Sequence, residues 1–194
     1  QLVSTGALND VGSSIKTNVD ESFRAGVEIS LSYRLFKNLS WSANYTYSQN
    51  IIKNFTSVVY DYTNGFDVIE TEIKNTQIAL SPSHIAKSNI NFSLVKNLSL
   101  SLQSSLIGKQ YLDNTTNENR TIDSYFVNDL VLNYSFEKEL LKKVSFTLAM
   151  NNLFNIEYAS RGYTYSYIYG AEYTQNHYNP QATRNFLAAL SIKF

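Results

Sequence analysis

Cysteine is absent from the 194 residues, which excludes disulfides, Cys-ligated metals and thiol redox chemistry. Only two histidines occur, His84 and His177, too few for a His-rich zinc or iron centre. Neither sign of charge is in excess. Sixteen Lys plus Arg balance 16 Asp plus Glu, so the basic surplus of a nucleic-acid binder is missing and no such partner is expected. Long apolar runs are lacking too, so no helix spans a membrane. Proline appears twice and glycine seven times. There is no initiator Met and no basic stretch followed by an apolar one, so Gln1 reads as a processed N-terminus or a cut edge.

What remains is rich in aromatics and hydroxyls. Hydrophobic residues make up 43% and aromatic ones 14%, led by 15 Tyr and 11 Phe, among plentiful Ser, Asn and Thr. That composition favours strands and argues against disorder.

Alternation shows where the apolar half goes. From Phe23 to Leu35 the odd positions are Phe, Ala, Val, Ile, Leu, Tyr and Leu, while Arg24, Glu28 and Arg34 fall between them. A soluble strand usually runs about five or six residues, so one oily and one wet face at this length needs a reason. The same pattern recurs at 39–47, 86–94, 98–106, 122–136, 144–150 and 186–194, weakest at 122–136, where Val127 and Val131 fall among the polar positions. Turns at 36–38, 95–97 and 137–143 are short or modest. The links at about 50–84, 109–121 and 155–183 are long and polar. Short turns at one end and long loops at the other describe the wall of an all-β, antiparallel transmembrane β-barrel.

Aromatics fall at both ends of these strands. Tyr33, Trp41, Tyr134, Phe146 and Phe194 lie toward the short turns; Tyr45, Tyr47, Phe126 and Phe186 lie toward the long loops. Two belts flanking an aliphatic band match two membrane interfaces. Residues 1–8 read as the upper end of a further strand and 9–19 as a loop, giving seven full strands and a partial one. The polar faces, with Arg24, Glu28, Arg34, Lys87, Asp129, Asn133 and Lys193, point to a lumen that tolerates charge.

The ending from Ala182 to Phe194 resembles the C-terminal strand of bacterial outer-membrane proteins. In that class, alternating apolar residues and a terminal aromatic, here Phe186, Leu190, Ile192 and Phe194, form the signal read by the barrel-assembly machinery. Asn151-Asn152-Leu153-Phe154-Asn155-Ile156-Glu157-Tyr158 is similar to the Asn-Leu-Phe-Asn-x-x-Tyr motif of TonB-dependent transporters. Gly6-Ala7-Leu8-Asn9-Asp10-Val11-Gly12 and Gly108-Lys109-Gln110-Tyr111-Leu112-Asp113-Asn114 also resemble those transporters, in particular Bacteroidetes-type receptors.

This resemblance implies a 22-stranded barrel of which residues 1–194 supply a C-terminal segment, without the plug domain of that family. It implies an outer-membrane location, with long loops extracellular and the C-terminus periplasmic. The implied partners are outer-membrane lipid and lipopolysaccharide, the barrel-assembly machinery, and the TonB system acting through an N-terminal part not in this chain. A second chain completing the barrel is a further expectation. The implied solute is a scarce nutrient, foremost a ferric siderophore or another iron chelate.

No nucleophile, base and orienting group can be assembled, so neither catalysis, metal nor cofactor is expected. The last long link carries the ligand candidates: Arg161, Tyr163, Tyr165, Tyr167, Tyr169, Tyr173, His177 and Tyr178. Tyr rings with polar tips suit flat ligands, and Arg161 suits an anion. Paired Tyr that merely stiffen a β-ribbon are the structural reading of the same residues. The loop from Tyr60 to Asp67 is a lesser candidate, with Asn64-Gly65 as a hairpin-turn signal. His84 reads as an ordinary polar residue. The rival to the transporter reading is an autonomous eight-stranded outer-membrane barrel of structural or adhesive role, which requires residues 1–8 to close against the last strand.

Overall fold

The computed structural model describes residues 1–138 and 141–194. Among the described residues, fourteen strands form in chain order. They are β1 (Leu2–Leu8), β2 (Ser14–Asn18), β3 (Ser22–Phe36), β4 (Leu39–Asp61), β5 (Asp67–Gln77), β6 (His84–Val95) and β7 (Leu98–Ile107). There follow β8 (Gln110–Tyr111), β9 (Thr121–Ile122), β10 (Tyr125–Lys138), β11 (Leu141–Asn151), β12 (Ala159–Tyr169), β13 (Ala171–Pro180) and β14 (Asn185–Lys193). Among the described residues there is no helix.

The wall is the antiparallel series β3-β4-β6-β7-β10-β11-β14. These are the seven strands that the alternation predicts. Register keeps like with like along each row: Leu31 pairs Ala43, Ile90 pairs Leu102, Leu132 pairs Leu148, and Phe146 pairs Leu190. Every apolar set therefore lands on one face, and a slip of one residue would move all of them. That face is uncovered, with Leu31 at 56% and Leu190 at 65% exposure, as expected of a surface whose solvent is hydrocarbon. The opposite face gathers Arg24, Glu28, Arg34, Lys87, Asp129, Asn133 and Lys193, paired with Asn50, Thr46, Ser40, Asn44, Gln103, Ser99 and Lys143.

Polar side chains on the apolar face are matched locally. Trp41 Nε1 donates to Ser88 Oγ at 2.9 Å, and Ser104 Oγ bonds Asn128 Oδ1 at 2.6 Å. His84 belongs to the upper aromatic belt, with Nδ1 2.8 Å from the Tyr45 hydroxyl and its ring 5.2 Å from that of Tyr47.

Four expectations are corrected. Link 50–84 is mostly a β-ribbon: β4 runs on to Asp61 and pairs residue by residue with β5 around the tip at 62–66. Residues such as Phe55, Val58, Val59, Ile69 and Ile73 sustain strand pairing there, although their spacing no longer follows one period. In segment 9–19, Ser14–Asn18 is strand, paired with β1. Link 155–183 is largely the hairpin β12-β13. Finally, β10 begins at Tyr125, and Thr121–Ile122 bridges back to Gln110–Tyr111. Of the turn expected at 137–143, residues 139–140 lie outside the described residues.

Closure of an eight-stranded barrel would set residues 1–8 beside Asn185–Lys193. Leu2, Val3 and Ser4 pair instead with Asn18, Thr17 and Lys16. β14 pairs only with β11, and β3 only with β4, so both ends of the wall present open edges among the described residues. Above the wall, Val3, Ile52, Phe55 and Ile78 form a small buried core, with Ile52 fully enclosed.

Candidate ligand-recognition face

Hairpin β12-β13 sorts its side chains by parity. On one face Arg161 pairs Asn179, Tyr163 pairs His177, Tyr165 pairs Gln175, and Tyr167 pairs Tyr173. Tyr169 follows opposite Ala171. Seven of the eight sequence candidates thus share one face. Tyr178 is the exception: it pairs Gly162 on the other face, where its hydroxyl donates to Thr121 O at 3.0 Å.

Aromatic stacking organises the shared face. His177 lies against Tyr163 at 4.8 Å and 15°, and against Tyr165 at 5.9 Å and 9°. Tyr165 also bonds Gln175 Oε1 through its hydroxyl. Tyr167 stacks on Tyr173 at 5.5 Å. A parallel bridge from Tyr167 to Tyr60 brings in the ribbon tip, where Tyr62 meets Tyr167 edge-on at 6.5 Å and Phe66 lies between Tyr60 and Tyr62. The 60–67 segment and the last link, separate candidates in sequence, form one aromatic surface. Within this chain Tyr163 and Tyr169 are 58% and 63% exposed. Arg161, also exposed, supplies positive charge at its lower end.

At the ribbon tip, the Thr63 hydroxyl lies beside the Asp61 carboxyl, and Thr63 N–H donates to Asp61 Oδ1 at 2.8 Å. Together, the hydroxyl foremost, they hold the Asp61 carboxyl below the ordinary carboxylate range. Gly65, at φ 126°, takes the left-handed turn position that Asn64-Gly65 predicts.

The opposite face of the hairpin rests on a strap, residues 108–124, most of which the sequence reads as a polar link. Its anchor is Arg120, whose side chain is 6% exposed. Nη1 bonds Asp113 Oδ2 at 3.0 Å within the strap, while Nη2 bonds Glu172 Oε1 and Thr174 Oγ1 of β13. Asn176 Nδ2 donates to Asn119 O at 2.7 Å beside it. On its other side, Asn114 accepts from Ala79 N at 2.8 Å and donates to Ser4 O at 3.1 Å, and Thr116 Oγ1 accepts from Gln77 N at 2.7 Å. One strap therefore ties β1, the β5-β6 junction and the β12-β13 hairpin together.

A second tie sits at the strap's exposed rim. Glu118 accepts from Lys109 Nζ and from the Tyr111 hydroxyl, each at 2.6 Å. The Lys109 bond foremost, then that of Tyr111, lowers the Glu118 pKa, and the same carboxylate raises that of Lys109.

The Asn-Leu-Phe-Asn motif builds the hairpin's root. Asn152, in the left-handed region at φ 52° and 3% exposed, accepts from Ile156 N and donates to Ile156 O and Ala182 O. Its own N–H bonds Asp129 Oδ1 at 2.8 Å. Asn155, at φ 58°, accepts from Arg184 N at 2.9 Å. Both Asn are the residue type that tolerates this backbone while closing a turn with a short amide.

On the inward face, Glu28 is held by Asn44 Nδ2 at 2.6 Å and not by Arg24, which donates to Asn50 and Ser81. Among the described residues no cluster of acidic, His or Cys side chains could hold a metal ion.

A strongly alternating antiparallel wall, apolar outside and polar inside, crowned by ribbons at one end, is the wall of a large membrane β-barrel. Residues 1–153 match the family of TonB dependent receptor-like β-barrels, and the chain belongs to that family of outer-membrane receptors. No curated protein sequence matches it. Among solved structures it is similar to the siderophore receptor PiuA from Acinetobacter baumannii, at 19% identity and TM-score 0.62, covering 97% of this chain and 23% of that one. The closed form of the ferric-catecholate import receptor Fiu from E. coli K12 is similar at 20% identity and TM-score 0.59, covering 96% and 23%. The ferric yersiniabactin uptake receptor FyuA from Yersinia pestis follows at 18% identity and TM-score 0.53, covering 88% and 23%. This chain spans about a quarter of the length of each, and at these identities the likeness is one of fold.

Sequence reasoning missed Arg120 and Glu172, which nothing local marks, while Tyr62 falls within the lesser candidate loop and Asn114 within the Gly108–Asn114 stretch, each without its partner. Their roles come from partners far along the chain, as between Arg120 and Glu172.

Proposed function

We propose that this chain is the C-terminal barrel segment of an outer-membrane transporter that imports a scarce solute by TonB-dependent uptake. The solute class is a ferric siderophore or another iron chelate. Tyr163, Tyr165, Tyr167, Tyr169, Tyr173 and His177 form the recognition surface, with Arg161 beside it. The observation that carries this reading is the aromatic face of β12-β13 joined to Tyr62 and Phe66, with a cation at its edge. Aromatic faces stack on flat ligands at about 0.5–1.5 kcal/mol per ring, and a guanidinium adds attraction for an anionic chelate. Family membership and the siderophore receptors among the structural neighbours support the same solute class.

In this reading the chain contributes no covalent chemistry: its residues bind, and energy arrives through TonB acting on a plug carried elsewhere in the full receptor. Tyr178, facing the strap, acts as a structural support and the other seven candidates as contacts. Phe186, Leu190, Ile192 and Phe194 serve as the assembly signal, with β14's end in the periplasm and the ribbons outside the cell. Lipid, lipopolysaccharide and the assembly machinery are the corresponding partners, and a second chain closes the barrel if the two open edges are not closed by the receptor's own upstream strands.

The test is uptake of labelled iron chelates by cells carrying the intact receptor, with and without a proton-motive-force uncoupler. Uptake of at least one chelate that collapses with the uncoupler is expected. Uptake indifferent to both receptor and uncoupler for every chelate would overturn the reading.

A further inference from the structure

We infer that Arg120 is a positioning residue, a latch that holds hairpin β12-β13 down on the strap and so sets how the aromatic face is presented. The link to ligand presentation rests on the proposed recognition role; the latch itself does not.

The hairpin leaves the wall on two irregular segments, 152–158 and 181–184, so its docking is not imposed by sheet pairing at its root. Its other ties are neutral: the short bridge from Tyr167 and Ile168 to Tyr60 and Asp61, Gly170 N donating to Thr63 Oγ1 at 2.8 Å, and the bonds of Asn176 and Tyr178 to strap carbonyls. The only ion pair that joins hairpin to strap among the described residues is Arg120 with Glu172. It is built from a nearly buried guanidinium that also holds Asp113, so one cation separates two carboxylates that approach it from two elements.

That arrangement fixes the sign of each substitution. Removing the guanidinium loses the tie and also leaves Asp113 and Glu172 facing each other as like charges, which drives the hairpin off the strap. Neutralising Glu172 loses only the tie. In Arg120→Ala, neutralising Glu172 removes the repulsion and partly restores docking. A residue that merely filled space would show no such restoration.

The experiment is hydrogen exchange of backbone amides in residues 159–180 of the intact receptor, without ligand. Arg120→Ala is expected to raise exchange by about tenfold or more, Glu172→Gln by less, and the double variant to fall below Arg120→Ala alone. Exchange in the strap stays protected in Glu172→Gln, because Asp113 still holds Arg120. Unchanged exchange in Glu172→Gln and Arg120→Ala, or a double variant at least as exposed as Arg120→Ala, would overturn the latch. If Arg120→Ala fails to assemble, Glu172→Gln decides alone: faster hairpin exchange with a protected strap supports the latch, and wild-type exchange overturns it. Failure of every iron chelate to bind would strike the recognition reading while leaving these outcomes intact.

Discussion

His177 lies nearly parallel to Tyr163, their ring centroids 4.8 Å apart, and the two come from opposite strands of one hairpin. This pair shows what the two readings of the Tyr-rich segment have in common. The stack stiffens the ribbon, and the ribbon in turn holds the rings of Tyr165, Tyr167 and Tyr173 on one side. His177→Phe keeps a flat partner for Tyr163, whereas His177→Ala leaves Tyr163 free to rotate. Chelate affinity measured on the intact receptor is expected to survive the first change and to drop about 5–10-fold with the second, the size of one lost aromatic pair.

The assignment of faces makes a paired prediction. Leu100 lies between Phe92 and Leu132 on the apolar face, while its neighbour Ser99 faces the polar side with Ser93 and Asn133. One apolar position in from the belt residue Tyr134, Leu100→Arg should cost about 1–2 kcal/mol of barrel stability in lipid, and Ser99→Arg close to nothing, in urea unfolding of the intact receptor from bilayers. Equal costs would place the membrane elsewhere.

Asn152 closes the turn beneath the hairpin with both ends of its amide. Asn152→Ala strands Ile156 N and two carbonyls and puts an ordinary side chain at φ 52°. A loss of about 1–3 kcal/mol, with raised protease cleavage in 152–158, is expected. Asn152→Gly relieves the backbone but not the bonds, so it should fall between the two.

Gly162 is needed for close approach and not for its backbone angle. A Cβ there would sit 2.5 Å from His177 O and 2.9 Å from Leu112 Cδ2, wedging the hairpin from within and from the strap at once. Gly162→Ala should loosen β12-β13 pairing, seen as faster amide exchange at His177 and its neighbours.

The rim tie gives a pH dependence. Glu118 has its folded pKa lowered, so its contribution is present above the unfolded carboxylate value of 4.5 and is lost as pH falls through the folded value. Lys109 has its pKa raised, so its share is complete below 10.5 and is lost as pH rises through the folded value. Both groups are exposed, so the effect is confined to the strap. Protection factors of the amides near Glu118, taken relative to intrinsic exchange at each pH, should fall in acid in the wild type and lose that dependence in Glu118→Gln.

How much of this was legible depended on what each face touches. The wall strands were readable because hydrocarbon on one side and a wet lumen on the other impose strict alternation, as from Phe23 to Leu35. Above the wall both faces of a ribbon meet water or other ribbons, and the pattern breaks into doublets such as Ile51-Ile52 and Val58-Val59, which read as a loop. The Tyr alternation from Tyr163 to Tyr169 did survive, and it located most of the candidate face. Arg120 could not be found that way. Asn-Glu-Asn-Arg reads as a turn, and its partner Glu172 is brought to it only by the fold of the hairpin.

The most direct test of the account is equilibrium binding of a panel of ferric chelates, catecholate and hydroxamate types among them, to the intact purified receptor and to its Tyr163→Ala/Tyr173→Ala variant. The account predicts that at least one chelate binds the wild type and that the variant, still assembled as a barrel, binds it about 10–100-fold more weakly. A correctly assembled variant that binds every chelate as the wild type does would contradict it.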